Sequence, residues 1–353
     1  MRAWDVGDEI LRTRAERRAE EDDERVRELE EKGIDLDPVS PGSHRHGDLE
    51  HASDHEHPHA HSGPGERPVV GIVGAGAVGL ALGIALDRAG WPVGAVASRD
   101  PDRRERFRSR VGSARGFAEA AALVDDVELV ILAVPDDVVA SLAASLRLYA
   151  GQAIVHTSGL LGAEVLVPAL AAGSQAGAFH PLVAFADLDR ALAALHGATI
   201  AIEGDDDLAA HLADMAEAIG GTPVRLAPGS KAAYHAAAVL AAGGVTALLD
   251  TIREIAAAVG LDEEGALRIY LPLLEQTVAN ARAMGIAAAL TGPATRGDAG
   301  TIEAHLVALA ADAPDALPVY RALLARSVSI AEQRGALSPE ATGRLHTALA
   351  GDR

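Results

Sequence analysis

From residue 67 to residue 228 the chain alternates short apolar runs with longer amphipathic stretches; beyond that the pattern is helical to the end. The first run, Val69-Val70-Gly71-Ile72-Val73, enters Gly74-Ala75-Gly76-Ala77-Val78-Gly79 and continues as an Ala- and Leu-rich helical pattern over 77–89, which Gly90 stops. A second strand is expected over 91–97. Further strands are expected over 128–134, 152–155, 176–179, 198–202 and 223–226, with a helix over 207–219 between the last two. Strands alternating with helices predict an α/β protein with a doubly wound sheet, followed by an all-α C-terminal domain. In that domain Ser230 is a candidate N-cap, and helices are expected over 263–284, 301–311, 315–334 and 338–349.

A Gly-x-Gly-x-x-Gly turn between a strand and a helix has the context of a dinucleotide-binding βαβ unit, the start of a Rossmann domain. In that unit Gly74 allows the tight turn, Gly76 lets the backbone approach a pyrophosphate, and Gly79 lets the helix pack closely on the strand. Ala75, Ala77 and Val78 complete the turn, and the helix N-terminus offers N–H groups to the phosphates. The second strand ends at Ser98-Arg99-Asp100, followed by Arg103 and Arg104. A hydroxyl and a guanidinium there suit the 2′-phosphate of NADP, so NADP is favoured over NAD. Asp100 keeps the NAD alternative open, because an acidic side chain at this strand end would serve a ribose hydroxyl.

Composition changes the picture at the N-terminus. Residues 1–66 hold 19 Asp and Glu against 9 Lys and Arg, a net −10 of the chain's −20. His44, His46, His51, His55, His57, His59 and His61 stand there among Gly, Pro, Ser and acids, so a mostly disordered, acidic, His-rich tail is expected. A solvated linker and a metal-handling tail are both open readings, but no metal is assigned to the site itself. The negative charge argues against nucleic acid as a partner. No cysteine occurs, which excludes disulfides and thiolate chemistry. The longest apolar stretch, residues 236–249, is interrupted by Gly243-Gly244 and Thr246, so no membrane span is expected and a cytoplasmic protein is the default. The expected domains are 1–66, 67–228 and 229–351.

Polar residues gather where the predicted strands end: Pro135-Asp136, His156-Thr157-Ser158-Gly159 and His180-Pro181. Ligands in open α/β sheets bind at that edge. Pro135, His156 and Ser158 are therefore candidate neighbours of a nicotinamide. In the first C-terminal helix, Lys231, Tyr234 and His235 share one face by their spacing of three and four. A lysine near apolar surface and a second cation has a lowered pKa, which suits it to donate a proton as hydride arrives; a lysine that reaches solvent beside packed aromatic rings is the other reading. In Thr291-Gly292-Pro293-Ala294-Thr295-Arg296-Gly297-Asp298, Arg296 is a natural clamp for a substrate carboxylate with Asp298 orienting it, unless Asp298 only starts the next helix.

Over residues 67–350 these motifs, in order with Phe179-His180-Pro181-Leu182, Lys231-Ala232-Ala233-Tyr234-His235 and Thr291-Gly292-Pro293, resemble the uncharacterised Rossmann-like NADP oxidoreductases that carry a C-terminal helical domain of unknown function. More distantly they resemble pyrroline-5-carboxylate reductases, ketopantoate reductases and β-hydroxyacid dehydrogenases. In the last group a helical Lys, followed four residues later by Asn, assists proton transfer; Lys231 falls at that lysine, and His235 stands in place of the Asn. The resemblance implies an NADPH-dependent reductase of a small polar carbonyl or imine compound bearing a carboxylate. Lys231, His235 and His180 would be its catalytic residues, and Tyr234, Arg296 and Asp298 would contact substrate. It also implies a homodimer joined through the helical domain, with Arg296 reaching the neighbour's site. A non-catalytic NADP-binding sensor, or a metal-handling protein using the His-rich tail, are the alternatives.

Overall fold

A computed structural model of the chain describes residues 67–350, so the expected tail lies outside the described residues. One sheet contains β1 (Val70–Val73), β2 (Val93–Ala97), β3 (Arg115–Phe117), β4 (Leu129–Leu132), β5 (Ala153–His156), β6 (Gln175–Pro181), β7 (Thr199–Glu203) and β8 (Thr222–Arg225). The strand order is 3-2-1-4-5-6-7-8. Strands β1 to β6 are mutually parallel, whereas β7 pairs antiparallel with β6 and carries β8 with it. The order reverses beside β1, the switch point at which such sheets bind ligands.

The helices of this half are α1 (Ala77–Arg88), α2 (Pro101–Arg108), α3 (Ala121–Val124), α4 (Asp136–Ser145), α5 (Leu188–Leu195) and α6 (Asp206–Ala218). On one face Leu82 and Leu86 of α1, Leu195 of α5 and Leu212 of α6 pack on Ile72, Val155, Phe179 and Ile202. On the other, Leu123 of α3, Val139 of α4 and Leu166 of a 3₁₀ turn (Ala163–Ala169) pack on Val130, Leu132 and Ile154. A buried parallel strand is covered on both faces, which is why β1 and β4 read as unbroken apolar runs. Strand β3 was not expected, because Arg115-Gly116-Phe117 is three residues long and mostly exposed. The reversal at β7 is likewise invisible in the pattern of apolar positions, which encodes a strand but not its direction.

After β8 the chain forms α7 (Lys231–Val239), α8 (Val245–Ala258), α9 (Glu263–Met284), α10 (Ile286–Ala289), α11 (Pro293–Arg296), α12 (Ala299–Asp312), α13 (Leu317–Gln333) and α14 (Pro339–Ala350). Ser230 precedes α7 but does not cap it with its side chain; its hydroxyl donates to the Ala227 carbonyl. The glycine pair expected to interrupt the apolar stretch does not do so. A π turn (Leu240–Gly244) absorbs it, a device single helices use to take in an extra residue without breaking. The continuous run Lys231–Ala258 has 28 residues and a hydropathy of 1.6, enough to cross a membrane by length and composition alone. A small core of Ile302, Leu306, Leu324, Val328 and Leu345 ties α12, α13 and α14 together.

The three motif glycines differ in what they must accommodate. A Cβ on Gly79 would stand 1.9 Å from the Gly74 carbonyl oxygen, while one on Gly76 would meet nothing within 4 Å. Gly79→Ala therefore forces α1 away from the turn and should cost about 3 kcal/mol, the upper range of overpacking. Gly76→Ala should leave the urea midpoint unchanged; equal midpoints for the two variants would contradict this packing.

Candidate active site

The glycine turn and the ends of β2 and β4 wall a cleft of about 780 Å³ whose lining includes Gly74, Ala75, Gly76, Ser98, Arg99 and Pro135. Gly74 has φ +104, a left-handed conformation that favours glycine, and its N–H donates to the Ala97 carbonyl at 2.9 Å. Helix α1 opens at Gly76 with no side-chain cap, so its first N–H groups remain for an anion. Ala77 is exposed at the helix start, Val78 is half-buried, and Gly79 packs behind the turn. At the cleft's rim Arg99 is exposed, and Arg104 donates to the Ser98 carbonyl, fixing the turn that presents both residues. Asp100 lines the same cleft and also caps a helix. Its Oδ1 accepts from the Asp102 and Arg103 N–H groups, which caps α2, and its Oδ2 pairs with Arg103 at 3.2 Å.

A second set of polar groups lies at the ends of β5 and β6. In register, His156 pairs with Ala178, and Ala178 with Glu203, so all three lie in one row across the sheet. Side chains in one row share a face, and His180, two residues beyond Ala178, projects on that face as well. Lys231, at the start of α7, reaches the same place. It is 3% exposed, and its Nζ donates to the Ser158 carbonyl at 2.6 Å. The Ser158 hydroxyl accepts from the Leu160 and Leu161 N–H groups and shapes the loop that presents this carbonyl. The rings of Tyr234 and His235 each meet His180 edge-on, at 5.8 Å between centroids. Gly159 allows this closeness: a Cβ there would stand 2.3 Å from His235 Nδ1 and 2.8 Å from His180 Nε2.

Burial sets the charge of these groups. It pushes His156 and His180 down to about 4, with Lys231 acting in the same direction, so both imidazoles are neutral near pH 7. Nε2 of His156 bonds the Gly162 carbonyl at 3.0 Å; in the neutral ring that nitrogen must carry the hydrogen, which leaves Nδ1 an acceptor. Burial also lowers the Lys231 pKa, opposed by the charges of Glu203, Asp136 and Glu164. Four buried atoms here have no hydrogen-bond partner: Nδ1 of His156, His180 and His235, and the Tyr234 hydroxyl. Buried polar atoms without partners are uncommon, and four around one lysine mark a place shaped for a polar ligand. No group of three or more metal-ligating side chains occurs among the described residues.

The cleft and the cluster adjoin. Pro135 lines the cleft, and the charge of the next residue, Asp136, acts on His156, His180 and Lys231. Thus Gly74, Ala75, Gly76, Ser98, Arg99 and Pro135 share the cleft, while His156, Ser158, His180, Lys231, Tyr234 and His235 form the cluster beside it. Arg296 and Asp298 are not brought there within one chain. Arg296 is exposed on α11, which packs on α12 and α13. Asp298 caps α12, its oxygens accepting from the Thr301 N–H at 3.1 Å and hydroxyl at 2.7 Å. Glu203, one residue beyond an expected strand, also belongs to the site and was not expected there, and Gly159, named at the end of its strand, is what gives the rings room. A signal for Lys231 was also available: of 31 Lys and Arg residues, only Lys32 and Lys231 are lysines.

A Rossmann-like sheet followed by a helical region defines the class of fold. Residues 57–181 match the family model of a Rossmann-like domain, and residues 198–327 match a domain of unknown function, DUF2520. These are the two domains of the resemblance, and the reversed strands β7 and β8 fall within the second. The fold is similar to that of a putative NADP oxidoreductase from Bacteroides fragilis (23% identity, TM-score 0.63, covering 74% of this chain and 98% of that one). It is also similar to a pyrroline-5-carboxylate reductase from Streptococcus pyogenes (15%, 0.54, 74% and 99%) and to a reductive aminase from Aspergillus terreus in complex with NADPH and ethyl-5-oxohexanoate (17%, 0.58, 80% and 99%). At these identities the likeness is one of fold. No curated protein matches the chain.

Proposed function

We propose that the protein is a cytoplasmic NADPH-dependent reductase of a small polar carbonyl or imine compound that bears a carboxylate. The observation that carries this reading is the buried Lys231, held by the Ser158 carbonyl beside a glycine-turn cleft whose rim carries Ser98 and Arg99. The residues present fit the cofactor. Gly76 leaves the backbone bare toward the cleft, the uncapped start of α1 suits a pyrophosphate, and Ser98 with Arg99 suits a 2′-phosphate. Asp100, which would favour a ribose hydroxyl and NAD, lines the same cleft, but its Oδ1 is engaged in capping α2 and its Oδ2 pairs with Arg103. The fold neighbours whose descriptions name NADP or NADPH support the same choice.

Bound at this cleft, NADPH supplies the hydride. The protein's own residues supply the rest. Lys231 in its ammonium form donates a proton to the substrate oxygen or nitrogen as that atom gains electron density, and its lowered pKa brings proton transfer nearer to neutral pH. His156, fully buried, would support the nicotinamide end of the cleft through the loop whose Gly162 carbonyl its Nε2 binds, and His180, His235 and Tyr234 would orient the substrate. Burial of the cluster strengthens these contacts by keeping water away.

Arg296 enters this reading through a second copy. Helices α7 and α8 and the π turn between them expose apolar side chains, with Leu240 of the turn 71% exposed, and none of the most apolar 18-residue window is buried. An uncovered face of this size on a helix whose first residue is anchored in the sheet domain suits a homodimer, in which Arg296 of one copy holds the substrate carboxylate in the other. Leu240→Glu should shift the protein to a monomer in light scattering; an unaltered mass, or a wild-type monomer, would remove the dimer. For the reaction, keto acids and cyclic imines are to be screened by NADPH oxidation. Lys231→Ala should reduce turnover about 10²-fold or more and leave cofactor affinity nearly unchanged. Full turnover in that variant would remove the lysine from the mechanism.

A further inference from the structure

We propose that Glu203 is the positioning residue for Lys231: it anchors the 158–163 loop that receives the lysine amine, and it places a negative charge in the sheet row of His156 on the same side as that amine. The proposal rests on Lys231 as the proton donor and adds what controls it. Glu203 ends β7 and is 9% exposed, a burial that carboxylates reach only with partners. Its Oε2 accepts from the Ala163 N–H at 3.1 Å. The same short loop gives the Gly162 carbonyl to His156 and the Ser158 carbonyl to Lys231, so one carboxylate pins the segment on which both depend. The fold makes room for it: a Cβ on Gly177 would stand 2.3 Å from the Glu203 carbonyl oxygen, so glycine in β6 lets the end of β7 close in.

The chemistry of the pair is reciprocal. Burial raises the Glu203 pKa, and the charge of Lys231 opposes the rise; burial lowers that of Lys231, and among the opposing charges Glu203 acts most strongly. The other charges that act on the amine are those of Asp136 at the start of α4 and Glu164 on the 3₁₀ turn, both exposed, and the imidazoles of His156 and His180 lie within electrostatic reach of it. Tyr234 and His235 follow it on α7. Because the two histidines are neutral and would disfavour the ammonium if protonated, the charge is favoured by the carboxylates together with the Ser158 carbonyl. An arginine would remain protonated without such help, which gives a reason for a lysine here in a chain that, but for Lys32, otherwise uses arginine.

The lysine content permits a direct test on the full chain. With Lys32→Arg, only Lys231 contributes a side-chain amine, so biosynthetic labelling with [¹³Cε]lysine gives a single signal whose shift follows its protonation. The wild-type midpoint should lie below that of free lysine. Glu203→Gln retains an acceptor for the Ala163 N–H but loses the charge, and should lower the midpoint by about half a pH unit or more. A purely structural role would leave it in place, and an unchanged midpoint in the folded Gln variant overturns the proposal. Should that variant not fold, Glu203→Asp is titrated instead: the charge recedes by one methylene and the midpoint should fall by less, and no movement there also overturns the proposal. The readout needs no substrate. Failure of the reductase reading would show separately, as wild-type protein that oxidises no NADPH with any compound tested.

Discussion

The hydrogen bond from Lys231 Nζ to the Ser158 carbonyl is the constraint on which the site depends. It links residues 73 positions apart, and it brings the first helix of the C-terminal half onto the carboxyl edge of the sheet. A buried ammonium is costly unless it is both hydrogen-bonded and balanced by charge. That requirement explains the surroundings: a loop turned by the Ser158 hydroxyl so that its carbonyl receives the amine, the negative charges of Glu203, Asp136 and Glu164 acting on it from beyond contact distance, and two imidazoles left neutral. Without the bond, α7 would retain its helix but lose its placement.

Two designs meet at Pro135-Asp136. On one side the backbone does the work, with a left-handed glycine, a bare glycine and an uncapped helix start around the cleft. On the other side the side chains do it, in a compact set of rings around one amine. The helix-start dipole favours phosphate, and the low-dielectric cluster favours transfer of a proton over mere binding of a charge. A buried lysine beside a glycine-turn cleft is the arrangement on which the proposed reduction rests.

Much of this was legible in the sequence, for identifiable reasons. The β1 turn was readable because buried parallel strands leave apolar runs and because three glycines at fixed spacing have separate geometric duties. The grouping of Lys231, Tyr234 and His235 followed from helical periodicity, and His156 and His180 from their positions at strand ends. What could not be read was direction and distance. Nothing in residues 198–226 states that β7 runs against β6, yet that reversal is what puts Glu203 in the row of His156. The capping loop at Arg296 and Asp298 carries a signal that two roles share, and within one chain the structure realises the cap. The Gly243-Gly244 pair looked like an interruption because propensity weighs residues singly, whereas the π turn accommodates them in a continuous helix.

The central claim is that the glycine-turn cleft holds NADPH and directs it toward Lys231. It is tested most directly by fluorescence titration of NADPH and NADH against wild-type protein and Arg99→Ala. The structure predicts that NADPH binds more tightly than NADH and that the variant loses this preference while still binding NADH, because only the 2′-phosphate contact is removed. Absence of binding by either nucleotide to the wild-type protein would contradict the claim.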